Sequence, residues 1–297
     1  MKATIRIIQP SSKGGEDLIP GRIAQLESEG FNILYDEPSS STPWPYTAGS
    51  INERSERFLS ALLEPESQII LCARGGYGAS DLLPHLPWAK LGSIRHKWIV
   101  GFSDISAIHA AFWTVLSWPG IHGPMPGSAL WDLNSTEDID FLLHLMSQSE
   151  KAGSIPLSPL NNIGAAPLQG RLFGGCMSVL CNLIGTPYFP QSLKDYYIFL
   201  EDTGENPGQL IRHWNQLIQS GALSGALGVI WGHLKNLDSS LEEEEVKREL
   251  AERSPIPAWS TIEFGHLSPN WSLVIGANAK LDSKACQLNW HFSSSME

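Results

Sequence analysis

The chain reads as an α/β protein, with a parallel sheet under helices in its first half and a smaller β-rich α/β unit in its second. Three observations predict this. Apolar strand-like runs alternate with helical periodicity as far as residue 147. The alternation breaks over 148–167, where small, polar and proline residues suit an interdomain linker. It restarts at Arg171-Leu172-Phe173-Gly174-Gly175 and finishes on β-like segments. The expected division is therefore 1–147, a linker over 148–167, and 168–297.

The elements follow in order. Thr4–Ile8 reads as a strand, followed by the turn Pro10-Ser11-Ser12-Lys13-Gly14. A helix then places Ile19, Ile23 and Leu26 on one face and stops at Gly30. Asn32–Tyr35 is a short strand. Residues 37–50, rich in Pro, Ser and Thr, form a long loop. A helix over Arg54–Leu63 precedes the strand Gln68–Ala73, which runs into Arg74-Gly75-Gly76-Tyr77-Gly78. Trp98–Phe102 is a strand and Ile105–Leu116 a helix. In the second half Tyr197–Leu200 is a strand, and Asn206-Pro207 opens a helix that Gly221 ends. Leu227–Trp231, Trp271–Leu281 and Gln287–Phe292 complete the strands. The run Glu242–Glu245 followed by Lys247, Arg248 and Arg253 suits the macrodipole of a solvated helix better than a metal site.

Composition excludes several functions. The formal net charge of −11, with no clustered Lys/Arg stripe, argues against nucleic acid as a partner. No apolar run is long enough to span a bilayer, and Met1–Pro10 has no h-region, so neither a membrane anchor nor a signal peptide is expected. Cys72, Cys176, Cys181 and Cys286 sit in apolar contexts without a C-x-x-C pair. They are expected as buried free thiols in a reducing compartment, with no metal bound.

Four groups could carry chemistry. Ser103, in Gly101-Phe102-Ser103-Asp104, lies where a strand turns into a helix, the mechanics of a nucleophile elbow without its last glycine. The local alternative is that Ser103 or Asp104 caps the helix. The adjacent glycines of Arg74–Gly78 let backbone N–H groups approach an anionic oxygen, or serve only tight packing. Among nine histidines, His266 in Phe264-Gly265-His266 sits between β-like segments where a loop can project it as a general base; the alternative is an ordinary loop histidine. Glu201 follows an apolar strand and could hold a histidine, with Asp202 and Glu205 as competitors.

Taken together, Pro10-Ser11-Ser12, Cys72–Gly78, Gly101–Ala107, His122-Gly123-Pro124-Met125, Gly185-Thr186-Pro187-Tyr188, Leu200–Glu205 and Phe264-Gly265-His266 resemble the LD-carboxypeptidase family of serine peptidases, which includes microcin-immunity carboxypeptidases. The resemblance implies an N-terminal flavodoxin-like domain and a site in the interdomain cleft. It implies a triad of Ser103, His266 and Glu201, with the N–H groups of Gly76 and Asp104 as oxyanion donors. It also implies a cytoplasmic homodimer without a cofactor, acting on the bond before the terminal D-alanine of a murein tetrapeptide. Arg74 is the expected holder of the substrate carboxylate, from its charge alone.

Departures from the family pattern touch the substrate and not the triad. Cys176 stands where Gly-Gly-Asn is expected, and Leu273-Val274 where Leu-Pro is. The segment after Asn206 lacks the Tyr-Arg pair. Two other readings therefore stand beside the first. One is the same chemistry on an aminoacyl-adenylate analogue, with some of the 11 tryptophans as a purine platform. The other is a non-catalytic two-lobed binding protein.

Overall fold

Strands buried on both faces of a parallel sheet need near-continuous apolar sequence, and the first half supplies it. In the computed structural model, which describes residues 3–38, 44–133, 136–164, 169–235, 237 and 240–293, five strands come from this half. They are β1 (Thr4–Ile8), β2 (Asn32–Tyr35), β3 (Ile69–Cys72), β4 (Trp98–Gly101) and β5 (Gly120–His122). They stand side by side as 2-1-3-4-5, all parallel. This is the flavodoxin-like order, in which ligands collect beyond the carboxyl ends of the strands near the β1/β3 switch point.

The intervening helices are α1 (Ile19–Ser28), α2 (Ile51–Leu63), α3 (Ala79–Leu82), α4 (Trp88–Leu91), α5 (Ser106–Leu116), α6 (Leu130–Leu133) and α7 (Thr136–Ser147). Ser50 and Glu53 close a capping box on α2. In α5 every residue from Ser106 to Trp113 is buried, as expected of a helix packed on all sides. Its first residue touches the second half of the chain: Cys176 N–H donates to Ser106 Oγ at 2.9 Å.

The second half forms a mixed sheet of eight strands. These are β6 (Glu150–Pro156), β7 (Ser158–Pro159), β8 (Gln169–Cys176), β9 (Tyr196–Thr203), β10 (Gly228–Lys235), β11 (Ala258–Ser260), β13 (Asn278–Asp282) and β14 (Gln287–Ser293), ordered 6-14-13-8-9-10-11-7. The helices α8 (Met177–Cys181), α9 (Pro207–Gln219) and α10 (Glu243–Glu252) accompany it. The remaining strand, β12 (Leu273–Ile275), leaves this sheet and pairs antiparallel with β5 in the first one. Among the described residues no helix is long and apolar enough to cross a membrane.

Four differences from the sequence reading stand out. The stretch 148–167, expected as a linker, carries β6 and β7, and both belong to the second sheet. Trp271–Leu281, expected as one strand, is two strands in different sheets, broken at Gly276 with φ 84°. Strand β9 runs on to Thr203, so Glu201 and Asp202 lie within it and not beyond it. Cys286 is exposed; only Cys72, Cys176 and Cys181 are the buried free thiols expected. Of the loop 37–50, residues 39–43 lie outside the described residues.

Candidate active site

Loops after β1, β3 and β4 converge at the carboxyl edge of the first sheet. The turn after β4 is strained: Ser103 has φ 63°, a left-handed conformation that costs a non-glycine residue about 1–2 kcal/mol. A three-residue 3₁₀ turn over Ser103–Ile105 leads into α5, and no side chain caps either helix. The capping alternative for Ser103 and Asp104 is therefore not realised here. Asp104 caps a different helix. Its Oδ2 accepts from Ala79 N–H at the start of α3 (2.8 Å) and from Ser11 Oγ (2.7 Å), tying all three loops together. Burial pushes the Asp104 carboxyl up, while these two donors oppose the shift.

Two glycines allow the loops to meet. A Cβ on Gly75 would lie 2.9 Å from Ser103 Cβ and 3.1 Å from its Oγ. A Cβ on Gly76, at φ 108°, would lie 2.2 Å from Ser12 Oγ. That hydroxyl accepts from Tyr77 N–H at 3.0 Å, while Ser12 N–H donates to the Gly75 carbonyl at 3.2 Å. The glycine pair thus does more than pack, because it brings backbone directly against Ser103.

Glu201 and His266 form the second group. Glu201 is fully buried in β9, and its Oε2 lies 2.5 Å from His266 Nδ1. Burial alone would raise the Glu201 carboxyl, but the imidazole of His266, with His122 behind it, holds it down at about 2. For His266 burial pushes downward and Glu201 outweighs it, so the imidazole is raised above its ordinary value. The loop bearing His266 is pinned on several sides. Phe264 carbonyl accepts from His233 N–H (2.9 Å), Gly265 N–H donates to Asn270 Oδ1 (3.2 Å), and Asn270 N–H donates to Asp138 Oδ2 on α7 (3.3 Å). Gly265, at φ 125°, runs so close to β9 that a Cβ would sit 3.2 Å from Glu201 Cβ.

The two groups adjoin through Phe102, whose ring centroid is 4.8 Å from that of His266. Among the described residues the His266 hydrogen bond goes to Glu201, and none joins its ring to Ser103 Oγ. Ser103, Asp104 and Gly76 line an open cleft of about 1230 Å³. Its walls include Asp202, Glu205 and Arg212, and an aromatic edge of Trp44, Tyr46 and Tyr77. These three rings are 60%, 54% and 68% exposed and stand 5.0 and 6.3 Å apart in succession. Successive strand residues face opposite ways, so Asp202 meets the cleft while Glu201 meets His266. Arg74 is exposed, does not line this cleft, and lays its guanidinium against Gly14. The cleft's aromatic edge and Arg212 were not singled out in the sequence; exposed aromatics within the long loop were the available signal.

Cys176 and Asp202 explain one departure from the family pattern. Asp202 accepts from Ser178 N–H (2.8 Å), Ser178 Oγ (3.0 Å) and Cys176 Sγ (3.4 Å). Burial, then the carboxylate of Glu201, raises Asp202 to about 6. Burial and these acids also push the Cys176 thiol far up, so it is a hydrogen-bond donor and no nucleophile.

A flavodoxin-like sheet joined to a mixed sheet, with a strained serine turn beside a buried Glu–His pair, defines a two-sheet α/β hydrolase. Comparison with known proteins makes this specific. The LD-carboxypeptidase N-terminal domain matches residues 5–123, and its C-terminal domain matches 169–281. A relative in Streptomyces coelicolor is 30% identical, over 80% of this chain and 76% of its own. The murein tetrapeptide carboxypeptidase of Pseudomonas aeruginosa is 28% identical, over 96% of this chain and 94% of its own. The crystal structure of muramoyltetrapeptide carboxypeptidase from Oxalobacter formigenes superposes with a TM-score of 0.83 at 26% identity, covering 98% of this chain and 99% of that one. The chain belongs to the LD-carboxypeptidase family, and it is a serine-type carboxypeptidase. The reading as a non-catalytic binding protein falls away.

Proposed function

We propose that this protein removes the terminal D-alanine of murein tetrapeptides by hydrolysing the L,D-peptide bond before it, through a triad of Ser103, His266 and Glu201. The observation that carries the proposal is the buried Glu201–His266 hydrogen bond beside the strained Ser103 turn. His266 Nε2 takes the Ser103 hydroxyl proton as Oγ attacks the carbonyl carbon. The N–H groups of Gly76 and Asp104, which have no protein partner among the described residues, receive the oxyanion. His266 then protonates the departing amine of D-alanine. Water, deprotonated by the same imidazole, attacks the acyl-enzyme and frees Ser103. Preorganised donors of this kind each contribute about 10²–10³ in rate.

The cut at one terminal residue needs a cation for the free carboxylate. The placement of Arg212 in the cleft wall favours it over Arg74 for that role. The family resemblance implies a cytoplasmic homodimer. Higher identity to proteins named for murein peptides, 28% and 26%, than to the microcin C7 self-immunity protein, 22%, supports this substrate over an aminoacyl-adenylate analogue. Incubation with L-Ala-D-Glu-meso-diaminopimelyl-D-Ala tests it. Release of D-alanine is expected, with no comparable hydrolysis of an aminoacyl-sulfamoyl adenosine; the reverse preference would sink the reading.

A further inference from the structure

Glu201 has two carboxylate oxygens, and the proposed triad uses only one. Oε2 meets His266, while Oε1 is buried without a hydrogen-bond partner among the described residues. Both ring nitrogens of His122 are in the same condition, and His122 is 0% exposed. Buried polar atoms rarely go unpaired, and leaving one so costs about 1–3 kcal/mol. These atoms face each other: His122 Nε2 lies 3.8 Å from Glu201 Oε1. The separation exceeds the N–H···O range by roughly 0.6 Å.

The rest of the cage leaves His122 little choice. Phe102, Phe199 and Phe264 surround it edge-on, with ring centroids at 5.9, 5.3 and 6.3 Å. A second buried imidazole, His109 on α5, donates its Nε2–H to the Ile99 carbonyl at 3.0 Å. Backbone position is equally constrained. His122 pairs with Gly101 of β4, just before the Ser103 turn, and with Leu273 of β12, just after the His266 loop. We infer that His122 is a positioning residue for the catalytic acid: its Nε2–H donates to Glu201 Oε1, so the carboxylate is held at both oxygens between two histidines. The inference rests on the triad proposed above.

The link has a chemical consequence. A donor on Oε1 draws negative charge away from Oε2 and limits how strongly Glu201 stabilises the His266 imidazolium. The other charged groups facing this pair are Asp202 on the same strand and Lys235 on β10. Removing the His122 donor therefore makes His266 harder to deprotonate and lets the carboxylate turn.

The test compares His122→Leu with His122→Gln in the full-length protein on the tetrapeptide. Leu is expected to lower kcat about tenfold or more, as loss of an orienting partner does. KM should stay within about twofold, and the acid limb of the kcat/KM profile should move up by about 0.5 in pH. Gln, whose amide N–H can replace Nε2–H, should recover most of kcat and return the limb. A Leu variant with unchanged kcat and limb would overturn the inference. So would one whose kcat falls with the limb unmoved and Gln no better. A second measurement needs neither substitution nor turnover: ¹⁵N NMR of the wild-type imidazoles. A proton on His122 Nε2 is expected, and a bare Nε2 would overturn the link. If the tetrapeptide is not cleaved while that proton is present, it is the proposed substrate that fails and not this link.

Discussion

Glu201 Oε2 and His266 Nδ1, 65 residues apart in sequence, lie 2.5 Å apart in the structure. A carboxylate so placed stabilises the imidazolium and holds the ring with Nε2 free to accept a proton. The sign of the pH effect follows. His266 must be neutral to act as a base, and its proton is held more tightly than the ordinary value near 6.5. The acid limb of kcat/KM should therefore have its midpoint above pH 6.5. In Glu201→Gln the limb should move down, and kcat should fall about 10³–10⁴-fold. A pH–rate profile on both proteins checks this; superimposable limbs would contradict it.

Asp202 is predicted to shape stability with the opposite sign to Glu201. Its pKa is raised to about 6, chiefly by burial, so its favourable contribution is complete below the unfolded value near 4 and is lost as pH rises through 6. Asp202→Asn has no such loss. Relative to wild type, its unfolding free energy should gain about 2–3 kcal/mol between pH 4 and pH 8. Urea melts at the two pH values measure the difference.

Gly75→Ala is predicted to damage activity more than folding. The new methyl group would sit 2.9 Å from Ser103 Cβ and 3.1 Å from Oγ, forcing the nucleophile off its position. A displacement of this kind can cost about 10²-fold in rate. Turnover and thermal melting on the same preparation separate the two effects.

Trp44→Ala and Tyr77→Ala are predicted to raise KM about three- to tenfold with kcat nearly unchanged. Their exposed rings form the cleft's aromatic edge and carry no group that takes part in the proposed chemistry, so they are expected to bind substrate and transition state alike. A kcat loss with constant KM would place them in the chemistry instead.

Much of the first sheet was legible because its strands are short apolar runs ended by turns, and Thr4–Ile8 and Asn32–Tyr35 match residue for residue. The Ser103 turn was legible as a strand-to-helix junction, and Glu201 and His266 through the ordered motifs around them. What escaped depends on long-range pairing. Nothing local tells Leu273–Ile275 to leave its neighbours and pair with β5. The strand β6, Glu150–Pro156, has two charged residues followed by mostly small ones and no apolar run, and its partner β14 lies at the far end of the chain, so it looked like a linker. His122 read only as part of a motif, because its partner Oε1 is reached through two sheets. Arg74 followed from charge alone, and charge does not say which way a side chain turns.

The central claim is that Ser103 carries the acyl group. Intact-mass analysis of the protein quenched during turnover of the tetrapeptide, or after a serine-directed acylating probe, tests it most directly. The account predicts a single adduct that maps to Ser103, absent in Ser103→Ala, with D-alanine release lost from that folded variant. Full turnover by folded Ser103→Ala, or an adduct on another residue, would contradict it.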